Sequence, residues 1–193
     1  MRLTIKKSIN DDEIINGCLS GKRIAQQALY EKYSAKMLGV CIRYLKDRDE
    51  SEDVMISSIM KVFEKMDQFK REGSFEGWVR RIVINECLTY LRKNKSMFMA
   101  VDVEKIEREP NYQVISDTLV EADLLSLVQS LPTGYRTVFN LYAIEGYSHK
   151  EIAENLSISV NTSKSQLSRA RVLLQHKLVE AEKILDPKLL TND

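Results

Sequence analysis

Apolar residues recur every three or four positions over long stretches of this chain, and few residues interrupt them. Between residues 22 and 45, for example, Leu29, Tyr33, Met37 and Cys41 keep this spacing. The whole chain of 193 residues contains only seven glycines and three prolines. Apolar residues at this spacing lie on one face of an α-helix, and scarce helix breakers allow long helices. The pattern therefore predicts an all-α fold.

Breaks in the pattern divide the predicted helices into two groups. Four helices are expected at residues 11–20, 22–45, about 51–66 and 75–92, and four more at residues 119–130, 133–145, 150–156 and 160–185. Short polar side chains at a helix start accept hydrogen bonds from free backbone N–H groups. Asp49 or Ser51 is expected to cap the third helix in this way, Ser74 the fourth and Ser148 the seventh. Ile56 is expected to be buried with the other apolar residues of the third helix.

Residues 96–118 differ from both groups of helices. They have no clear apolar periodicity, they include Pro110, and they contain five acidic residues against two basic ones. This composition is typical of a flexible linker. The chain is therefore expected to form two small helical domains, at residues 1–95 and 119–193, joined by a linker at residues 96–118.

The composition also argues against several classes of protein. No run of about 18 apolar residues exists, so no direct insertion into a membrane is expected. The basic start of the chain leads into an acidic stretch rather than an apolar one, which favours a cytoplasmic protein over a secreted one. The three cysteines are expected to be reduced core residues, and no metal or other cofactor is expected because neither they nor the two histidines have a metal-binding spacing. No residue pattern typical of a catalytic centre occurs, so the chain is not expected to be an enzyme.

The segment from Ser148 to Val179 has the pattern of a helix-turn-helix: a short helix, a tight turn and a longer helix. The positions of the longer helix that are expected to face the core are Ser163, Leu167, Ala170 and Leu174. No Asp or Glu occurs between Glu154 and Glu180. Short polar and basic side chains on the opposite face suit the major groove of DNA, where they can contact phosphates and base edges. DNA binding is predicted, with a helical hairpin that has a solvated face as the plainer alternative. The residues predicted to contact duplex DNA are Asn161, Thr162, Lys164, Ser165, Gln166, Ser168, Arg169 and Arg171.

A second candidate surface for nucleic acid lies in the first group of helices. The predicted helix at residues 75–92 interleaves aromatic residues with Arg and Asn, and the loop before it is basic. Aromatic side chains can stack on unpaired bases while cations contact the backbone. Trp78 could instead be a core residue, and that alternative stays open. The candidate residues of this surface are Lys70, Arg71, Ser74, Phe75, Trp78, Arg81, Asn85 and Arg92.

Four stretches, in this order and spacing, resemble the extracytoplasmic-function (ECF) group of bacterial RNA polymerase sigma factors in the sigma-70 family. The resemblance covers about residues 13–178. The stretches are residues 29–33 (LYEKY); 52–54 (EDV) with 62–65 (VFEK); 69–75 (FKREGSF) with 78–85 (WVRRIVIN); and, in the second group of helices, 131–132 (LP), Arg136, 138–139 (VF), 145–148 (EGYS), 151–153 (EIA) and 162–171 (TSKSQLSRAR).

The resemblance implies roles that the residue pattern alone does not give. The first domain, like sigma region 2, would bind bacterial core RNA polymerase and capture bases of the melted upstream promoter element. The second domain, like sigma region 4, would bind the more distant promoter element as a duplex, so that the chain directs promoter recognition, melting and transcription initiation. An anti-sigma factor would mask these surfaces. The residues expected to bind core polymerase are Asp49, Glu52, Asp53, Ile56, Val62 and Phe63.

Several residues depart from the family pattern. Ser157 stands where the turn often has Gly, so different backbone angles are expected there. Ser163 stands at a core position that usually has Val, so a looser recognition helix is expected. Thr89 and Gln166 replace a frequent Asp and a frequent Arg. These differences affect which promoter sequence the chain is expected to recognise, and they do not argue against the family.

Two alternative hypotheses remain. A helix-turn-helix regulator that acts without binding the polymerase core would share the second domain, but the N-terminal half lacks the alternating strand-helix pattern of a receiver domain. A helical protein that binds polymerase or an anti-sigma factor without touching DNA would not need the acid-free stretch at residues 155–179.

Overall fold

The computed structural model describes residues 9–94 and 121–185, with side chains at residues 9–94 and 124–179. All regular elements in these ranges are helical, which confirms the all-α prediction. The helices are α1 (Asp11–Leu19), α2 (Arg23–Leu45), α3 (Arg48–Glu64), α4 (Phe75–Lys93), α5 (Glu121–Ser130), α6 (Thr133–Phe139), α7 (His149–Leu156) and α8 (Val160–Leu185). The predicted linker at residues 96–118 and the predicted helix start at residue 119 lie outside the described residues.

The chain divides into two compact units, Met1–Tyr90 and Leu91–Asp193. The first unit is built around α2, which packs against both α1 and α3. Its fully buried side chains include Leu29, Met37, Val62 and Val83. Burying one such side chain contributes about 1.5–3 kcal/mol, so these apolar faces hold the helices together.

Gly17 allows α1 to approach α2 closely. It is buried, and a Cβ added to it would overlap the Cβ of Ala25. A larger residue at position 17 would force the two helices apart, so a glycine is required here by packing.

Asp11, in the first turn of α1, ties that helix to α2. Its Oδ1 accepts hydrogen bonds from the Lys32 Nζ and from the Tyr33 hydroxyl, each at 2.6 Å. Partial burial works to raise the pKa of Asp11, but the bonds from Lys32 and Tyr33 outweigh it and hold that pKa below its usual value. Burial and the bonded carboxylate raise the pKa of Tyr33 well above its usual value. Tyr33 is 1% exposed, so Asp11 satisfies a hydroxyl that solvent does not reach.

Two further ion pairs fix α4 within the first unit. The Lys36 Nζ lies 2.7 Å from Glu76 Oε2, which joins α2 to the first turn of α4. The Lys61 Nζ lies 2.5 Å from Glu86 Oε2, which joins α3 to the middle of α4. The buried side chains of α4, which include Val79, Val83 and Leu88, set the rotation of the helix, and these partly exposed ion pairs add to it.

The helix caps partly match the sequence-based prediction. Ser74 caps α4, since its Oγ accepts from the Gly77 N–H at 3.3 Å, and Ser148 caps α7. The predicted cap of α3 is wrong. Asp47 is the capping residue, with its Oδ1 accepting from the Glu50 N–H at 2.9 Å, and α3 begins earlier than expected, at Arg48.

The second unit packs α6 and α7 against α8. Its core includes Leu131, Tyr135 and Ala170, with Phe139, Leu173 and Leu174 packed around them. The predicted helix at residues 133–145 is interrupted: α6 ends at Phe139 and a π-helical turn follows at Asn140–Ile144. The Glu145 N–H donates to the Asn140 carbonyl at 3.0 Å, and Gly146 follows the turn with a φ of +77°, which suits a residue without a Cβ.

Arg136 is 2% exposed and supports the end of α5 from within the core. Its Nη1 donates to the Leu131 carbonyl at 2.9 Å. Burial lowers the pKa of Arg136 to about 10. Carbonyl groups left unpaired at a helix end need such donors, so this buried cation has a structural role.

The prediction that the cysteines are core residues is confirmed for two of the three. Cys41 and Cys87 are fully buried, and Cys18 is half-buried. A hydrogen bond with Cys41 and burial raise the pKa of Cys87 well above its usual value. Across residues 9–94 and 121–185, no helix is long and apolar enough to cross a membrane.

Candidate nucleic-acid and polymerase interfaces

The helix-turn-helix is formed by α7, a three-residue turn and α8. Ser148 and Glu151 form a reciprocal capping box at the start of α7. At its end Ser157 adopts a left-handed conformation with φ +54° and ψ +43°. Angles different from those of a glycine are expected from the sequence, but Ser157 takes the left-handed conformation that a glycine adopts most easily in such a turn. Ser159 then caps α8 by accepting from the Thr162 N–H at 2.9 Å.

The described face of α8 presents a row of neutral polar side chains between two flanks of cations. Of the eight residues predicted to contact duplex DNA, Thr162 and Gln166 are half-buried and the others are exposed. Helical spacing places Asn161, Ser165 and Ser168 in one row. By the same spacing Lys164 and Arg171 lie on one side of that row, and Arg169 lies on the other. A helix in the major groove has base edges in front of it and a phosphate backbone on each side, and this arrangement matches that geometry.

A tyrosine lies beside each flanking arginine. The Arg171 guanidinium is 5.7 Å from the centroid of the Tyr142 ring, within the range of a cation–π interaction. On the other flank the Arg169 Nη1 lies 3.4 Å from the Tyr135 hydroxyl, a long hydrogen bond. Both side chains are therefore directed by contacts within the second unit.

His149, the first residue of α7, links α7 to α8. Its ring stacks on Tyr142, with ring centroids 4.6 Å apart, and its Nδ1 lies 2.9 Å from Ser163 Oγ. Ser163 is fully buried, which confirms that this position faces the core. The predicted loosening at Ser163 overlooked this contact, because its hydroxyl has a polar partner on α7. Partial burial and the positive charges of Lys164 and Arg171 lower the pKa of His149.

Four aromatic residues form a cluster under the loop before α4. The Phe69 ring lies 5.1 Å from Phe75 and 5.3 Å from Trp78, and Phe75 also contacts Tyr33 at 5.7 Å, all between centroids. Phe75 is only 4% exposed, so its ring supports the loop and is not open to a nucleic acid in this conformation. Trp78 is half-buried, so part of its ring packs in the cluster and part stays accessible. This fits both the core role and the stacking role that the sequence left open. Phe69 is half-buried beside it, and the list of predicted contacts does not contain it.

The exposed face of α4 carries the cationic and amide residues predicted for this surface. Arg81, Asn85 and Arg92 are exposed and follow Trp78 at helical spacing, and Lys70 is exposed in the loop. Ser74 is exposed as well, with its hydroxyl engaged in capping α4.

Arg71 has partners that the sequence did not indicate. It adopts a left-handed φ of +60°, and its guanidinium reaches α1. The Nη1 lies 2.9 Å from Asp12 Oδ1, and the Nη2 donates to Asn16 Oδ1 at 2.5 Å. These partners are more than 50 residues away in sequence, so no local pattern could have predicted them.

One face of α3 is an exposed stripe that is acidic at one end and apolar at the other. We call the row formed by Asp49, Asp53, Ile56 and Met60 the α3 stripe; its members are exposed and lie on one side of the helix. Ile56 is 50% exposed and Met60 is 54% exposed. The prediction that Ile56 is buried is therefore wrong, and Met60 was missed as a surface residue.

The other residues predicted to bind core polymerase lie beside or behind the α3 stripe. Glu52 is half-buried and pairs with Arg48, with Oε1 and Nε 3.0 Å apart. Phe63 is half-buried. Val62 is fully buried, so its side chain packs in the core and does not face a partner in this conformation.

The fold and these faces define a helical DNA-binding protein whose second unit is a helix-turn-helix. Residues 29–97 match the family model described as Sigma-70 region 2, and residues 121–174 match the model described as Sigma-70, region 4. The ECF RNA polymerase sigma-E factor of Haemophilus influenzae is 26% identical over 185 residues, covering 89% of this chain and 97% of the relative. The RNA polymerase sigma-H factor of Pseudomonas aeruginosa is 28% identical over 181 residues, covering 87% and 93%.

A solved complex of the sigma factor RpoE with the anti-sigma factor NepR from Bartonella quintana is 23% identical in sequence. Its TM-score is 0.49, and it covers 80% of this chain and 96% of that chain. From the two family models and the relatives, the chain belongs to the ECF group of the sigma-70 family and functions as an RNA polymerase sigma factor.

Proposed function

We propose that the two units of this sigma factor divide promoter recognition between two unlike surfaces. The neutral row and cationic flanks of α8 bind the distant promoter element as a duplex. The exposed face of α4 and the loop before it hold single-stranded bases of the melted element. The α3 stripe binds core RNA polymerase. In this proposal the protein is not an enzyme and acts in the cytoplasm, where the polymerase works.

The arrangement of α8 is the observation that carries the proposal. A solvated helix face that serves only solubility usually mixes both signs of charge, whereas Asn155 to Val179 contains no acid. Cations flank a row of short side chains that can approach base edges. Arg169 is the cation of its flank, and it is exposed and directed by Tyr135, so it is suited to a DNA contact on that side of the groove.

The α3 stripe supports the assignment of the polymerase-binding surface. Two large apolar side chains one helical turn apart are half-exposed there, with Asp49 and Asp53 in line with them. Apolar area in water beside like charges suits a partner that is apolar at its centre and basic at its rim. An anti-sigma factor is a further proposed partner, because it could cover the same apolar residues before polymerase binds.

Run-off transcription distinguishes a sigma factor from a regulator that acts without core polymerase. Bacterial core RNA polymerase is assayed with and without this protein on genomic promoter fragments from its host. We expect specific transcripts only when the protein is present. Stable DNA binding without transcripts or polymerase association would instead support the regulator.

Two variants test the assignment of the surfaces. Arg169→Ala is expected to lower occupancy of the distant promoter element and to leave polymerase association unchanged. Asp53→Lys is expected to weaken polymerase association with the fold retained. Normal promoter selectivity in the first variant, or normal co-purification with polymerase in the second, contradicts the respective assignment.

A further inference from the structure

The Tyr142–His149–Ser163 contacts lie behind the DNA-binding face of α8 and are not explained by the proposed contacts themselves. We propose that His149 is a positioning residue for promoter recognition: through its bond to Ser163 it fixes the rotation of the first turns of α8 against α7. This inference rests on the proposed function of α8 as the recognition helix.

The position of Ser163 near the start of α8 explains why its bond to His149 can oppose rotation of the helix. Ser163 faces the core, and its sequence neighbours Thr162 and Lys164 are on the DNA-facing half of the helix. Rotation of α8 about its axis would move the buried hydroxyl away from His149 as it moved those neighbours across the groove. A hydrogen bond weakens steeply as its distance and angle leave the preferred range, so it opposes such a rotation.

A second contact holds α8 further along the helix. The ring of Tyr142, on which His149 stacks, also lies under the Arg171 guanidinium. Ser163 and Arg171 are eight residues apart, which is about 12 Å along a helix at about 1.5 Å per residue. The stacked pair of Tyr142 and His149 therefore contacts two side chains of α8, the buried Ser163 and the exposed Arg171.

An ordinary packing role for His149 would not need the Nδ1 contact. The ring is half-buried and could fill its space as any aromatic residue of similar size. The buried Ser163 hydroxyl, in contrast, needs a polar partner, because a polar group without one is costly inside a protein, and the His149 Nδ1 on α7 is the partner that it has here. The two roles can be separated by substitutions that keep either the ring or the hydrogen-bonding atom.

His149→Phe keeps an aromatic ring over Tyr142 and removes the nitrogen that meets Ser163. His149→Asn removes the ring and retains a polar atom close to the position of Nδ1. Ser163→Ala removes the hydroxyl from the other side. His176→Phe is the matched control, because His176 is an exposed histidine of α8 whose ring contacts neither Tyr142 nor Ser163.

The experiment uses the full chain bound to core RNA polymerase and a promoter found by run-off transcription. The affinity for that promoter is divided by the affinity for the same promoter with its distant element replaced. We expect His149→Phe and Ser163→Ala each to lower this selectivity ratio about threefold to tenfold, in proportion to one lost hydrogen bond. The double variant should lose no more than the larger single loss, and His149→Asn should remain within about twofold of the unsubstituted protein.

Thermal unfolding of each variant separates positioning from folding. A second unit that is partly unfolded at the assay temperature would also lower the ratio, so the ratio is measured at a temperature at which the second unit of every variant is folded. An unchanged ratio in His149→Phe under these conditions overturns the inference. Equal loss in His149→Asn and His149→Phe also overturns it, since the ring would then matter more than the bond. If the unsubstituted holoenzyme itself does not distinguish the two promoters, the proposed function of α8 fails, and this inference fails with it.

Discussion

Replacing both Ile56 and Met60 by alanine is expected to weaken the association with core RNA polymerase by about thirtyfold. The two residues form the apolar half of the α3 stripe and are 50% and 54% exposed. Full burial of such a side chain contributes about 1.5–3 kcal/mol. Because about half of each is already buried in the free protein, a partner can gain about 1 kcal/mol from each. The sum of about 2 kcal/mol corresponds to a factor of about thirty in the dissociation constant.

The assay is a titration of labelled protein with core polymerase, read by fluorescence anisotropy at fixed salt concentration. The free energy of unfolding should fall by at most about 2 kcal/mol, because about half of each side chain is buried in the free protein and alanine is favourable within a helix. Circular dichroism at the assay temperature checks that the double variant is folded. Leu19→Ala combined with Ile24→Ala is the matched control. Leu19 is 51% exposed and Ile24 is 75% exposed, and neither lies on α3.

Two results would refute this reasoning. Unchanged affinity in the Ile56 and Met60 double variant would show that the stripe is not covered by polymerase. An equal loss in the control pair would show that general surface apolarity, and not this stripe, determines binding. Restoration of transcription at high protein concentration would add support, since a variant that is only weaker in binding is rescued by mass action.

Other expected outcomes concern stability and protonation. Asp11→Ala should lower the free energy of unfolding by about 1–3 kcal/mol in urea titrations, because the buried Tyr33 hydroxyl loses its partner; a loss below the error of the titration would remove that role. Ser157→Gly should raise the unfolding free energy of the second unit by about 1 kcal/mol, since a left-handed conformation strains a residue with a Cβ; a decrease would contradict it. NMR titration of His149 should give a pKa below 6.5 that Lys164→Gln moves upward. Because the folded state binds this proton more weakly than the unfolded state, its contribution to stability is complete above about pH 6.5 and declines as the pH falls towards the folded pKa.

Sequence periodicity was sufficient for the helices because their apolar residues follow the helical repeat closely. It also placed Ser163, Leu167 and Ala170 on the core side of α8, and all three are buried. The same reasoning failed at Ile56, which is apolar and correctly spaced but lies just outside the buried arc of α3. The helical repeat of apolar residues identifies the centre of an apolar face, but it does not determine whether the residues at the edge of that face are buried. Such edge residues can form binding surfaces.

The contacts that shape the candidate sites could not have been predicted from the sequence for a different reason. The bonds from Arg71 to Asp12 and Asn16 join residues separated by more than 50 positions. The His149–Ser163 contact likewise requires α7 and α8 to be already packed. Such bonds form only when the tertiary structure places the two groups to within a few tenths of an ångström. A single sequence does not specify positions at that precision.

The two tyrosines beside the flanking arginines have a consequence for how tightly α8 can bind. A free arginine side chain samples many rotamers, and restricting it to one on binding opposes association by up to about 2 kcal/mol of conformational entropy. Tyr142 under Arg171, and Tyr135 beside Arg169, already restrict these side chains in the unbound protein. Part of that ordering is therefore completed during folding. Because less side-chain entropy is then lost on binding, the contacts of these cations with DNA stabilise the complex more.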